Sequence, residues 1–456
     1  MQELVQFELT KEFVDRFQQA LDERDQKFIL ETLKDINPAD ISALLYEFNS
    51  EESKYALDLL PIEVQSEIIN DLDPDTRKNF LKIYDPKNIT VFVNQLNSDD
   101  AADILNELPV KTREEVLASL DSELRVQVID LLRYEENVAG GLMAKELIKV
   151  RDNWTVVQCI EEIRKQAENV DKFYAVYVVD ENDRLRGRVS LKDLVLSLSD
   201  SRKIVSDIIE EEEEDIVSVE TYMDEIEVAG IMRKYDLESI PVVNVQGQLV
   251  GRITIDDVVD VITEQAEEDR QLMSGISEAV EEDDSIWRNT RARLPWLLIG
   301  ILGGLMNAKF MGLFEAELSR VTAIAFFTPL IQATGGNVGI QSSSLIVQSL
   351  SNPGFVEEGL WTRLSKVFSV ALLNGLFLAL IVFGANVLLF EEKTLSFVVS
   401  VALFSVVLFA SFVGTVTPLV LSRLNFNPAL ASGPFITTIN DLLGLTVYFF
   451  TVHLML

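Results

Sequence analysis

The segment 433–450 reads GPFITTINDLLGLTVYFF, an apolar run that carries a carboxylate, Asp441, beside Asn440. Placing Asp at bilayer depth costs roughly 2.5–3.5 kcal/mol on insertion scales, so such a residue marks a functional site by default. A lone carboxylate there can act as a hard oxygen ligand for a cation or as a proton carrier. The structural alternative is a protonated Asp441 hydrogen-bonded to a neighbouring helix. Gly433, Thr437, Asp441, Gly444 and Tyr448 recur at spacings of three and four and so form one helical stripe, with Phe435, Ile436, Ile439, Leu442 and Leu443 elsewhere on the surface. No Lys or Arg stands near the middle of another apolar segment to pair with Asp441; Lys309, the nearest candidate, lies toward the end of one. An unpaired membrane carboxylate is best explained by a water-filled path for a cation or a proton.

A second set of carboxylates lies upstream. Residues 256–285 hold twelve acids and a single base, Arg270. Asp257, Asp260, Glu264, Glu267 and Glu268 recur at helical spacing, so one face of a helix carries like charges that repel at i, i+4. Such a face is stable when solvated or when cations bind it, and hard divalent cations prefer carboxylate oxygen. A further acid run, Glu210–Asp215, reads as solvated surface.

The elements that must hold these groups follow from charge and hydropathy. The chain has 456 residues and a net charge of −35. From Leu294 onward there are seven acids and six bases, so almost the whole charge, −34, falls on the first 293 residues. An acidic, water-facing part argues against nucleic acid, whose phosphates need Lys and Arg, and is compatible with cations as partners. One cysteine (Cys159) and one histidine (His453) exclude an internal disulfide and a Cys-based zinc site, and leave little for nucleophilic catalysis. No enzyme is expected. Five apolar segments approach the ~20 residues a bilayer span needs: 294–314, 321–350, 366–390, 394–421 and 430–456. Arg288, Arg291, Arg293, Arg363, Lys366 and Arg423 flank one side against Lys309, Arg320 and Lys393 on the other, which places the N-terminus in the cytoplasm and the C-terminus outside. The second segment contains TPLIQATGGNVGIQSSSL (328–345), whose Gly335, Gly336, Asn337 and serines must face protein or water, because lipid cannot satisfy them.

The water-facing part has two repeats. Residues 1–137 hold short amphipathic units such as NPADISALLYEF (37–48), LPIEVQSEIINDL (60–72), DPKNITVFVNQL (85–96), NSDDAADILNEL (97–108) and DSELRVQVIDLL (121–132), with helix-capping starts at Asn37-Pro38, Asp85-Pro86 and Asp121. They predict a stacked helical superhelix. Then YVVDENDRLRGRVSLKDLVL (177–196) aligns with PVVNVQGQLVGRITIDDVVD (241–260) at an offset of 64, matching Gly187 to Gly251, Arg188 to Arg252, Ser190 to Thr254 and Asp193 to Asp257. Each copy reads strand, turn, strand, cap, helix, with Gln246-Gly247 as a hairpin turn. The pattern resembles a tandem pair of CBS domains over about 141–262. Many such modules sense adenosyl nucleotides or cations, and the Thr254–Asp257 spacing suits either a ribose contact or plain helix capping.

Taken in order, the chain resembles the MgtE family of magnesium channels over nearly its whole length, most specifically in RYEENVAGGLM (133–143), PLIQATGGNVGIQS (329–342) and NPALASGPFITTINDLLGL (427–445). The resemblance implies a multidomain membrane protein: an all-α superhelical N-domain (1–137), an α/β tandem CBS pair (138–262), an acidic connecting or plug helix (263–293) and an all-α membrane domain of five transmembrane helices (294–456). It implies a homodimer in the inner membrane whose pore, lined by the second and fifth spans, admits Mg2+ and is gated by internal Mg2+. Proton- or Na+-coupled transport is the alternative. Asp441 matches the pore aspartate, and Asn440, Thr437, Gly433, Gly335, Gly336 and Asn337 are expected around it. Asp257, Asp260, Glu268, Asp269, Asp224, Asp236, Asp99 and Asp103 match regulatory cation positions. ATP or another adenosyl nucleotide would meet Thr254 and Arg188. Three residues depart from the family pattern: Gly433 replaces an asparagine, Gln265 a glutamate and Ile226 an acid.

Overall fold

The computed structural model describes residues 9–167, 175–198, 203–212, 216–278, 280, 285–315, 318, 321–350, 360–390 and 393–455. Glu281, Glu282, Asp283 and Asp284 of the acidic run, and the end of the Glu210–Asp215 run, lie outside them. The chain divides into two compact units, Met1–Val261 and Ile262–Leu456.

The first unit begins with short helices from α1 (Lys11–Glu23) to α10 (Ser122–Leu131). The expected units appear as Pro38–Leu45, Ile62–Asp71, Pro86–Val93, α8 (Ser98–Glu107) and α10. Their apolar stripes meet in a single core that runs on without a break through Ala139, Met143, Val219 and Ile240 to Val261. The packing is therefore continuous across the expected boundary at 137. Capping is less uniform than expected. Asn37 accepts from the Ala39 amide at 3.0 Å, while Asp85 and Asp121 occupy N-cap positions with no side-chain cap bond.

The 64-residue repeat is also a repeat of strand register. Strands β1 (Ile148–Arg151), β2 (Val176–Val179) and β3 (Leu185–Val189) form one sheet, and β4 (Val219–Glu220), β5 (Ser239–Val243) and β6 (Leu249–Thr254) the other. In each, the first pair is parallel and the second antiparallel. Val178 pairs with Gly187 as Val242 pairs with Gly251, and each antiparallel pair is irregular one residue later. The hairpin corners correspond too: Asp183 (φ 58°) stands where the second copy has Gly247 (φ 77°), the left-handed conformation each turn requires. The two sheets are joined by a hydrogen bond between the Tyr177 and Ser239 hydroxyls at 2.9 Å.

An uninterrupted helix of 19 residues (Ile255–Met273) follows β6, and the division between the two compact units lies within it. The membrane unit continues with a helix over Ile286–Gly312, one over Thr328–Leu350, one over Leu360–Phe390, one over Lys393–Arg423, a short 3-10 turn (Pro428–Ala431) and a last helix over Gly433–Met455. We call the first of these, with its predecessor, the membrane helix M1 and the acidic helix; the others are M2 to M5 in chain order. Among the described residues, four helices are long and apolar enough to cross a membrane. M2 is as long as a span, 23 residues or about 34 Å at 1.5 Å per residue, but its glycines, asparagine, glutamine and serines keep it out of that set. Part of that polarity is directed inward: Thr328, Gly335, Gly336, Gly339 and Ser343 are buried with Ile331 and Val347 on the side where M4 and M5 pack, whereas Asn337 and Gln341 are exposed. Small residues let these backbones close up. A Cβ at Gly414 of M4 would overlap the Gly339 carbonyl of M2, and the Ser342 and Ser411 hydroxyls meet at 3.0 Å.

Candidate ion-conducting site

M5 follows the 3-10 turn because Asn427 caps that turn, its side-chain oxygen accepting from the Ala429 amide at 2.8 Å, and Gly433 supplies the left-handed corner (φ 57°) from which the helix starts. Glycine and asparagine are the residues that reach this conformation at least cost, so the Gly433 departure preserves the backbone requirement while removing the side chain. One turn on, the Thr437 hydroxyl donates to the Gly433 carbonyl at 2.9 Å, and Thr438 does likewise to Pro434 at 2.8 Å. Both hydroxyls thus keep their oxygen lone pairs available. Asp441 is half-buried and makes no hydrogen bond or ion pair with any described residue. Gly336 of M2 faces it: a Cβ there would lie 3.4 Å from Thr437 Cγ2 and 3.8 Å from Asp441 Oδ1.

The expected stripe on M5 is thus divided. Gly433, Thr437 and Asp441 are half-buried, whereas Gly444 and Tyr448 belong to a fully buried line with Ile436 and Asn440. Asn440 is 1% exposed, lies against Gly339, and neither of its amide atoms has a hydrogen-bond partner among the described residues. Ile436, expected on the outer surface, is 0% exposed because M5 packs against M2 and M4 on this side. Tyr448 is held by its hydroxyl, which donates to the Ile324 carbonyl at 2.9 Å. Gly335 and Gly336 are buried, and Asn337 points to the exposed side of M2. Lys309 is exposed.

In the first unit the acids are brought together in part. Asp99, Asp100 and Asp103 project from α8, and Asp257 and Asp256 approach them electrostatically from the acidic helix. Burial, then the Asp100 and Asp257 charges, hold the Asp99 carboxyl well above the usual range. Asp103 is open to water on one side, yet the protein around it and the Asp100 charge push its carboxyl up to about 7. Burial likewise raises Asp257 to about 6, against the opposing bonds from the Thr254 amide (3.1 Å) and hydroxyl (2.8 Å). Those two bonds are a helix-capping arrangement, which engages the Thr254–Asp257 pair in the first turn of its own helix; Ser190 likewise donates its hydroxyl to Asp193, and there the Asp193 amide donates back to Ser190 Oγ. Burial and the Asp256 charge raise Asp260, on the exposed side of the helix. Arg188 and Glu268 are also exposed.

Other expected partners lie apart. Asp224 is the N-cap of the helix Glu225–Tyr235, accepting from the Ile226 amide at 3.0 Å, and Asp236 is its left-handed C-cap. They are separated by the helix length of about 16 Å. Asp269 accepts hydrogen bonds from two amides, Gln265 and Asn427. Among the described residues, no three His, Cys, Asp or Glu side chains converge closely enough to hold a metal ion.

Three residues of the acidic groove had no sequence signal of their own. Glu146 accepts from the Ser98 amide at 3.2 Å and from its hydroxyl at 2.7 Å, so a CBS-linked carboxylate caps α8. Asp100 is the neighbour of Asp99 in NSDD, and only the fold turns both toward Asp257. Arg77, paired with Glu107 and donating to the Asn70 carbonyl at 2.7 Å, is the cation that faces Asp100 and Asp103.

A helical bundle that holds, between small residues, a carboxylate with no partner among the described residues, in a chain whose first 293 residues carry a charge of −34, fits the class of cation transporters. The comparisons agree: a family model described as a divalent cation transporter matches residues 328–451, one for the MgtE intracellular N domain matches 36–137, and CBS-domain models match 138–200 and 205–264. A magnesium transporter MgtE of Thermus thermophilus is 36% identical over 449 residues, covering 96% of this chain and 97% of that protein. One from Bacillus subtilis is 30% identical over 70% of each chain. The solved cytosolic domain of the Mg2+ channel MgtE in complex with ATP, 36% identical, superposes over 54% of this chain and 99% of that one with a TM-score of 0.50. The chain belongs to the MgtE family of magnesium transporters.

Proposed function

We propose that the protein is a Mg2+ channel that imports the ion into the cytoplasm and is shut by Mg2+ on its cytoplasmic side. The observation that carries this reading is Asp441: a half-buried carboxylate with no partner among the described residues, one turn from the Thr437 hydroxyl and opposite Gly336. A second copy of the chain, related by a two-fold axis, would supply a second Asp441. Two carboxylates facing across a water-filled path suit a Mg2+ ion that keeps most of its waters, since the ion dehydrates reluctantly and is commonly held by one or two carboxylates. Asn440 supports the pore wall from behind rather than meeting the ion.

Gating is assigned to the acids of the first unit. Asp99, Asp100, Asp103 and Asp257 are crowded enough to raise their carboxyls, so the compact arrangement holds unrelieved repulsion. Mg2+ relieves it and favours the compact state, which is the differential affinity a ligand needs to shift an equilibrium. The exposed Asp260 and Glu268 add local negative potential. The solved relative binds ATP, and we extend to this chain an adenosyl-nucleotide site on the CBS pair, with Arg188 accessible and Thr254 already engaged in capping. The N-terminus is assigned to the cytoplasm.

The test is Mg2+ uptake in a transport-deficient cell. Asp441→Ala is expected to abolish uptake and Asp441→Asn to reduce it at least about tenfold, the equivalent of ~1.4 kcal/mol of lost ion stabilisation. Full uptake by Asp441→Ala would sink the assignment. An unpaired carboxylate also suits proton- or Na+-coupled transport; flux that collapses when the gradient is dissipated would establish that reading instead.

A further inference from the structure

We propose that the end of the acidic helix is fastened to the start of M5 by a metal-free amide latch centred on Asp269, so that this end of the helix is held without a cation at that point while Mg2+ acts on the acids of the first unit. The inference rests on the proposed function, in which M5 carries the pore residue Asp441 and the acidic helix carries Asp257 of the gating cluster. Asp269 Oδ1 accepts from Gln265 Nε2 at 3.1 Å and from Asn427 Nδ2 at 3.1 Å. The Asn427 amide cannot be turned around, because its oxygen is already the acceptor that caps the 3-10 turn. Its NH2 group is therefore aimed at Asp269 by the fold. That turn is itself anchored to M2, where Ser343 Oγ donates to the Ala431 carbonyl at 2.9 Å.

The contact continues in step along both segments. Leu272 and Ala429 share a buried cluster with Val347. A Cβ at Gly433 would overlap the Met273 carbonyl, and one at Gly275 (φ 80°) would run into the Pro434 ring. Two left-handed glycines thus admit the close approach that the latch requires. Gln265 completes the chemistry. A Glu at this position would set a like charge one turn from Asp269, destabilising the pair unless a cation bridged it, whereas Gln donates to it. Both neighbours of this oxygen therefore present N–H groups, which satisfy a carboxylate and oppose a metal ion.

The test uses the full-length protein in proteoliposomes, in a Cys159→Ser background with Met273→Cys and Leu430→Cys joined by a short bismaleimide. Cross-linking reports seating of the helix whether or not ions flow. With a latch, the yield in EDTA is expected within about twofold of that in Mg2+, too small a shift for a contact that a cation must bridge at this point. Asn427→Asp keeps the cap acceptor, removes the donor and sets two carboxylates face to face. Its yield in EDTA is expected to fall about tenfold, the scale of one hydrogen bond to a charged group, and to recover in Mg2+. Asp269→Asn keeps the acceptor oxygen and removes the charge, so its yield is expected to match the parent with and without Mg2+. An Asp269→Asn yield that drops in EDTA and depends on Mg2+, or an Asn427→Asp yield that does not change, overturns the latch. Gln265→Glu, which alters neither the cap nor M5, provides the same readout should Asn427→Asp fail to fold; it too is expected to make the yield depend on Mg2+, and independence overturns the proposal. Yields that follow this pattern while Mg2+ flux ignores every variant would leave the latch standing and defeat the gating role.

Discussion

At the residue scale, the acids of the first unit differ from Asp441 in being crowded by one another. Asp103 at about 7 and Asp257 at about 6 are carboxyls whose charged forms are disfavoured in the folded state. A carboxyl raised above its unfolded value binds more protons when folded, so the stability it contributes is complete below about 4 and is lost as pH rises through 6 to 7. The melting temperature of the unit 1–261 in EDTA is therefore expected to fall between pH 5 and pH 8. Mg2+ should recover most of that loss at pH 8 and little at pH 5, with proton release on binding near pH 6. A melting temperature that is flat in EDTA would show that these carboxyls are not under strain.

At the element scale, helix α8 carries most of the groove, and its start is held from outside the helical domain by Glu146. Ser98, 0% exposed, also accepts from the Lys145 amide at 2.9 Å, and Lys145 Nζ reaches Asp130 at 2.8 Å. Glu146→Ala leaves a buried hydroxyl and a helix-terminal N–H without their acceptor, and is expected to cost about 2 kcal/mol in urea unfolding, with Glu146→Gln recovering part. The elements themselves were legible in the sequence: the short amphipathic units, the 64-residue repeat and the long apolar segments all correspond to observed structure, because periodicity and turn residues are local signals. The small and polar composition of M2 was legible too, but not which of those residues are buried (Gly335, Gly336, Ser343) and which exposed (Asn337, Gln341). What was not legible is pairwise. Nothing in EQAEED says that Gln265 donates to Asp269, and nothing in NPALAS says that Asn427 joins it, since that geometry arises only when a turn 158 residues away is brought alongside. The division of the M5 stripe was hidden likewise, because which side of a helix is half-buried depends on how deeply its neighbours reach.

At the scale of the whole molecule, the charge of −34 on the first 293 residues is a store of repulsion that bound divalent ions would relieve. Chelation is expected to increase cleavage of the water-facing part by a nonspecific protease by about tenfold or more, and saturating Mg2+ to suppress it. Equal cleavage in both conditions would remove the ion-linked compaction that the gating reading needs. Monovalent salt at the same ionic strength offers the control, since screening alone acts on exposed charges at any valence.

The contact between Gly339 and Gly414 has a mechanical consequence. With the M4 glycine against the M2 carbonyl and no side chain between them, the two helices cannot slide or roll past one another without opening a void or forcing backbones into collision. They behave as one beam. M5 is drawn into the same assembly, because Asn440 lies against Gly339 as closely as the M4 backbone does, so a displacement of any one of the three helices at this level is passed to the other two.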